Sequence, residues 1–155
     1  MQPSALILAL MLLVQATAAQ ETASRETWEP LLENEPALIG LAKDLKAGLE
    51  QGDVGAFRRQ LRPGKLRLVL FGSSLPPDLY AHSQAAALLE EHLRLSPATE
   101  LRISLARWNA SGSELHLALD SLKGRAGGVK ARRDRYVAVY RQSDGAWHLA
   151  ELRCP

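Results

Sequence analysis

The chain has 155 residues, a formal net charge of +2, 46% hydrophobic residues and a single cysteine. One cysteine excludes an internal disulfide, so one core must hold the fold unaided. The small net charge hides an uneven distribution: residues 21–53 lean acidic, whereas 123–135 hold six basic residues and one acid.

The first twenty residues carry no charged side chain. An apolar run, Ala5 to Val14, precedes the small residues Ala16-Thr17-Ala18-Ala19. This pattern predicts a secretory signal over 1–19, cleaved after Ala18 or Ala19. The run falls short of the about 20 apolar residues that a membrane span needs. The expected location is periplasmic or extracellular. Residues 20–35 read as an acidic leader, and 36–155 as one domain, long enough for a single core.

"PALIGLAKDLKAGLEQGD" opens that domain. Pro36 suits a first helical turn. Leu38, Leu41, Ala42, Leu45 and Leu49 recur at helical spacing. Gly52 fits the position past a helix end, and Asp53 the N-cap of the next helix, "VGAFRRQL". Val54, Phe57 and Leu61 share one side of it. "KLRLVLF" alternates and predicts a strand at 65–71. "GSSLPPD" reads as loop, and a third helix near 80–95 turns Ala85, Leu88, Leu89, His92 and Leu93 to a core.

The rest reads as four strands joined by short turns: "TELRISLARW", "ELHLALDSL", "RDRYVAVYRQ" and "AWHLAELR". Short loops make these an antiparallel meander. The expected class is α+β. Three helices pack on a curved antiparallel sheet of about five strands, in the order α-α-β-α-β-β-β-β.

With "GDVGAF" between two helices, "YAHSQAAALLEEHL" opening the third and "GAWHLAELR" closing the chain, the sequence resembles the nuclear-transport-factor-like cone fold. Ketosteroid isomerase and SnoaL-type proteins share that superfamily. The resemblance covers roughly 37–153 and is closest to a small exported bacterial branch of uncharacterised function, from which Ala81 and His92-Leu93 depart. It implies enzymes with an acid, His or Tyr inside an apolar cone, but also ligand carriers and assembly modules, so the site must decide.

Unbroken alternation turns Leu101, Ile103, Leu105 and Leu115, Leu117, Leu119 inward, and His116 and Asp120 outward. With Leu45, Leu49, Phe57 and Leu89, the inward residues Ile103, Leu105, Leu117 and Leu119 are the expected lining of a small apolar pocket. Tyr80, His82 and His92 are the candidates for catalysis, with Asp78, Tyr136 and Tyr140 behind them. Each also reads as a packed ring or a solvated histidine, and no spacing demands chemistry.

No CxxC, HxH or HExxH pattern is present, and no metal or other cofactor is expected. "GRAGG" lacks the Lys-Ser/Thr of a phosphate loop. Asn109-Ala110-Ser111 reads as a hairpin turn, although it fits a glycosylation sequon.

Ser104, Ala106, Trp108, Ala118, Ala150 and Leu152 fall on the outer sheet face, where the fold's relatives commonly dimerise. A homodimer through that face is the expectation. Lys123, Arg125, Lys130, Arg132, Arg133 and Arg135 form a basic hairpin, either a solvated protrusion or a contact to an anionic surface. Nucleic acid is not expected, because no aromatic residues interleave these charges. Alternation sets Cys154 on the outer face with His148, about 20 Å away. It reads as an inert thiol at a frayed end, with an interchain disulfide as the alternative.

Two functions stand at this point. One is an exported, non-enzymatic module that binds a small apolar ligand or a protein partner. The other is a SnoaL-like lyase or isomerase acting on a small carbonyl or polyketide-like substrate.

Overall fold

The computed structural model describes residues 28–61, 64–71, 76–123 and 132–155. Helix α1 spans Pro36–Gln51 and buries Leu38, Ala42, Leu45 and Leu49, its apolar stripe. It stops at Gly52, whose φ of 66° is open to glycine at little cost. Asp53 then caps α2, Val54–Arg58, by accepting a hydrogen bond from Gly55 N at 2.8 Å. The two helices approach closely at Gly48: a Cβ there would lie 3.1 Å from Asp53 O and 3.2 Å from Ala56 Cβ. A 3-10 turn, Glu29–Leu32, precedes them and sends Trp28 and Leu32 into the core.

Helix α3 spans His82–Leu95 and buries Ala85, Ala86, Leu89 and Leu93. Its expected face is right, though Leu88 and His92 are only partly buried.

The sheet has six strands, not five. They are β1 Lys65–Leu70, β2 Asp78–Ala81, β3 Leu101–Trp108, β4 Glu114–Lys123, β5 Arg132–Ser143 and β6 Ala146–Cys154. The extra strand is β2, four mostly exposed residues at the sheet's edge. It carries no alternating apolar pattern and runs straight into α3, so periodicity gives no signal for it. The sheet is also mixed. Strands β3 to β6 form the expected antiparallel meander, but β1 runs parallel to β6. The spatial order is β2-β1-β6-β5-β4-β3.

The hairpin turn read at Asn109 is present, and a second one joins β5 to β6. Asn109 Oδ1 accepts from the amides of Ser113 and Glu114. Asp144 and Gly145 both have positive φ, the two-residue turn that matches strand twist.

Two β-bulges decide which residues face the helices. On β3 the register shifts between Ile103 and Leu105, so Ser104 is an added residue. On β6, Val139 pairs with Glu151 and Tyr140 with Leu149, so Ala150 is another. Each bulge reverses the alternation beyond it. Leu105 therefore turns outward and is 50% exposed, while Ala106 and Trp108 turn inward. Leu152 and Cys154 likewise turn inward and are fully buried.

Candidate functional site

Seven of the eight expected pocket residues join one buried cluster: Leu45, Leu49, Phe57, Leu89, Ile103, Leu117 and Leu119. They pack with the inner rows of β1, β5 and β6 as a core. Leu105 is the exception, because the β3 bulge turns it to the other face.

The candidate histidines and tyrosine are not brought together. Tyr80 lies on β2 and donates its hydroxyl to Pro76 O at 2.8 Å. His82 opens α3, and His92 lies ten residues on, about 15 Å along the helix. Among the described residues, no group of three His, Cys, Asp or Glu side chains could hold a metal ion.

The inward polar groups are different ones. Strand β4 presents Ser121 behind Leu119, and Ser121 pairs in register with Asp134 of β5. Ser121 Oγ donates to Thr99 O at 2.6 Å. Asp134 is 6% exposed, a carboxylate on the helix-covered face. Two residues on, Tyr136 is fully buried and its hydroxyl has no hydrogen-bond partner among the described residues. Burial pushes that phenol well above its ordinary range, and the neighbouring Cys154 and Asp134 push it further. Asp134, Tyr136 and Cys154 thus share one end of the interior. The signal lay in "RDRYVAVY": Asp134, Tyr136, Ala138 and Tyr140 alternate in phase. Tyr140, the last of them, donates to Gln60 Oε1 at 2.5 Å.

The Cys154 thiol is buried, and desolvation raises its ionisation far above the ordinary range. Strand β6 is not frayed there, for Cys154 pairs with Leu70 and Cys154 O accepts from Phe71 N at 2.9 Å. The outer-face placement is therefore corrected by the Ala150 bulge.

The same bulges redraw the outer face. Of the six residues expected there, Ala106, Trp108 and Leu152 point into the core. Trp108 packs on Trp147, ring centroids 5.5 Å apart. Ser104 and Ala150 are the bulge residues themselves, and Ala118 remains outward.

The register defines what that face carries. One row is Leu105, Ala118, Val137, Arg153 and Val69; the next is Arg107, His116, Val139, Glu151 and Arg67. Arg102, Asp120 and Arg135 flank one side, and Glu114, Arg141 and His148 the other. Six arginines therefore share the face with three carboxylates. Each carboxylate is engaged: Asp120 by Arg135, Glu114 by Arg141 and Glu151 by Arg153. Arg135 belongs to the sequence's basic hairpin. Arg125 and Lys130 lie outside the described residues, as do the side chains of Lys123, Arg132 and Arg133 and the expected signal at 1–19.

A cleft of about 290 Å³ opens where β1 diverges from β6. Lys65, His82, Arg141 and His148 line it with Leu61, Leu66 and Leu149. An adjoining cleft of about 450 Å³ shares Lys65, Arg141 and Ala150 and adds Arg67, Asp78 and Glu151.

No family model matches the chain, and no curated protein matches it. Solved structures do. A DUF4783 family protein from Bacteroides uniformis superposes with a TM-score of 0.56 at 7% identity, covering 72% of this chain and 92% of that one. An NTF-2-like protein of unknown function from Shewanella oneidensis gives 0.51 at 12% identity, covering 75% and 93%. An NTF2-like protein from Rhodospirillum rubrum, described as of unknown function in nutrient uptake, gives 0.51 at 16% identity, covering 76% and 95%. The helices on one face, the six-stranded mixed sheet and these superpositions agree: the chain has the nuclear-transport-factor-like cone fold.

Proposed function

We propose that the chain is an exported, non-catalytic cone-fold module that docks an acidic protein partner on the open face of its sheet. The observation that carries this reading is the charge left over on that face. With every carboxylate engaged, Arg67, Arg102 and Arg107 have no carboxylate partner among the described residues. They share the face with the exposed Leu105 and the half-buried Val137, whose row the buried Ala118 and Val69 complete, a narrow apolar centre with an arginine rim. The other face supports the reading from behind. The residues that would line an apolar pocket pack against one another as a core.

Two copies meeting through this face would bring like charges together, which disfavours a homodimer. The test is binding of poly-L-glutamate, followed by anisotropy across a salt series, with light scattering alongside. Salt-sensitive binding by a monomer, lost in the triple variant Arg67→Glu, Arg102→Glu, Arg107→Glu, supports the proposal. A dimer that the triple variant dissociates would make the face a self-association surface. Preference for phosphatidylglycerol vesicles over poly-L-glutamate would assign it to lipid.

A second reading rests on Asp134 and Tyr136. A buried acid beside an unsatisfied phenol, inside the cone, supports a lyase or isomerase acting on a small carbonyl or polyketide-like substrate. Turnover lost in Asp134→Asn but kept in the triple arginine variant would establish it over the first.

A further inference from the structure

The cleft beside the Ala150 bulge lies away from the inward polar groups, and its chemistry points to a ligand of its own. Strand β1 pairs with β6 only from Glu151 to Cys154. Nearer the hairpin turn the β6 edge is left open, and Gln60 O takes up Leu149 N at 2.9 Å. Leu61, Leu66 and Leu149 line the gap together with Lys65, His82 and Arg141. Ser143 Oγ and His148 Nε2, 2.8 Å apart, close the end.

Among the described residues no carboxylate lines this cleft. Glu114, which is not part of the lining, engages Arg141. Glu151 and Asp78 belong to the adjoining cleft, where Arg153 holds the first and Leu79 N donates to the second. Of the lysine and the arginine that line this cleft, Lys65 is therefore the one without a carboxylate partner among the described residues. With the Arg141–Glu114 pair neutral, Lys65 gives the described lining of the cleft one uncompensated positive charge. One charge matches a monoanion better than a dianionic phosphate. The leucine wall takes an apolar body, and the volume sits at the lower end of ligand sites, about 300 Å³.

We infer that this cleft binds a small monocarboxylate with an apolar body, its carboxylate on Lys65 and Arg141 and its body against Leu61, Leu66 and Leu149. Benzoate is the probe, with benzamide as its neutral counterpart and inorganic phosphate as the competing anion. Amide shift mapping on the full chain should show saturable shifts at Gly64, Lys65, Ser143 and Ala150. Benzamide should bind about tenfold more weakly than benzoate, the scale of one charge-assisted hydrogen bond. Lys65→Gln should cost benzoate a similar factor and leave benzamide unchanged, while Lys65→Arg restores binding. Lys65 is exposed, so neither change threatens the fold. Equal affinity for benzamide, indifference to Lys65→Gln, tighter binding of phosphate, or shifts that map away from this cleft would each overturn the inference. None of these outcomes depends on the arginine face, which Arg102→Glu and Arg107→Glu alter without touching the cleft.

Discussion

Two tyrosines of β5 offer a controlled comparison. Tyr136 and Tyr140 sit on the same face, four residues apart, and both are fully buried. They differ in what their hydroxyls meet. Tyr140 donates to Gln60 Oε1 at 2.5 Å and lies 3.3 Å from Leu41 O, whereas the Tyr136 hydroxyl has no partner among the described residues. Phenylalanine keeps the ring and its packing, so neither replacement opens a cavity that matters. Tyr140→Phe strands Gln60 Oε1 in the core, and Gln60 Nε2 already has no partner among the described residues. Leaving one buried acceptor unsatisfied costs about 1–3 kcal/mol. Tyr136→Phe removes an uncompensated polar group and should be neutral or stabilise by up to about 1 kcal/mol. Urea unfolding followed by tryptophan fluorescence reads both, and a midpoint change at constant m reports stability alone. The reasoning fails if Tyr136→Phe destabilises as much as Tyr140→Phe. That result would mean the Tyr136 hydroxyl is satisfied by something bound in the interior, and would strengthen the enzymatic reading.

The bulge on β3 predicts opposite outcomes for neighbours: Leu105→Lys should change stability by less than about 0.5 kcal/mol, and Ala106→Lys should cost about 3 kcal/mol or more. Equal effects in thermal or urea unfolding would remove the bulge. Cys154 should resist a thiol reagent until the chain is unfolded and should leave the protein a monomer on non-reducing electrophoresis, since its thiol is buried. Rapid labelling of the native protein would return Cys154 to the open face. Burial raises Tyr136 and Tyr140 above an ordinary 10.0 and Cys154 above an ordinary 9.0. The unfolded chain therefore loses these protons first, and their contribution to stability is complete below about pH 9 and lost progressively above it. Urea midpoints should fall on the alkaline side, less steeply in Tyr140→Phe, and a flat profile to pH 11 would contradict this.

Much of the fold was legible because its signals are local. The Gly52-Asp53 pair ends one helix and caps the next through a glycine conformation and one side-chain bond, both properties of adjacent residues. Asp144-Gly145 specifies its turn in the same way. Strand β2 was not legible, because four edge residues gain their place from pairing with β1 and carry no buried face of their own. The parallel register of β1 on β6 was hidden for a related reason. A helix-bearing crossover joins strands that are distant in sequence, and alternation within a strand says nothing of its neighbour's direction.

The site was less legible, and the two bulges explain why. Alternation is a parity rule, and one inserted residue reverses it for the rest of the strand. Before Ser104 the inward assignments hold, for Leu101 and Ile103 face the helices, and before Ala150 Trp147 and Leu149 face them in the same alternating phase. Beyond them every assignment inverts, which moved Leu105 out and Ala106, Trp108, Leu152 and Cys154 in. Neither bulge carries glycine, so the sequence offers no conformational marker for it. Strands β4 and β5 have no such insertion over the same rows, and Leu115, Leu117 and Leu119 kept their places. The consequence reaches function. With Leu152 and Cys154 inward, Glu151 and Arg153 come to the open face beside Arg67, and the arginine excess assembles there. The Ala150 bulge also opens the cleft beside Lys65. Part of what both proposals use is thus placed by irregularities of the backbone that no single strand's pattern announces: Arg107, Glu151 and Arg153 on the open face, and Ala150 beside the cleft.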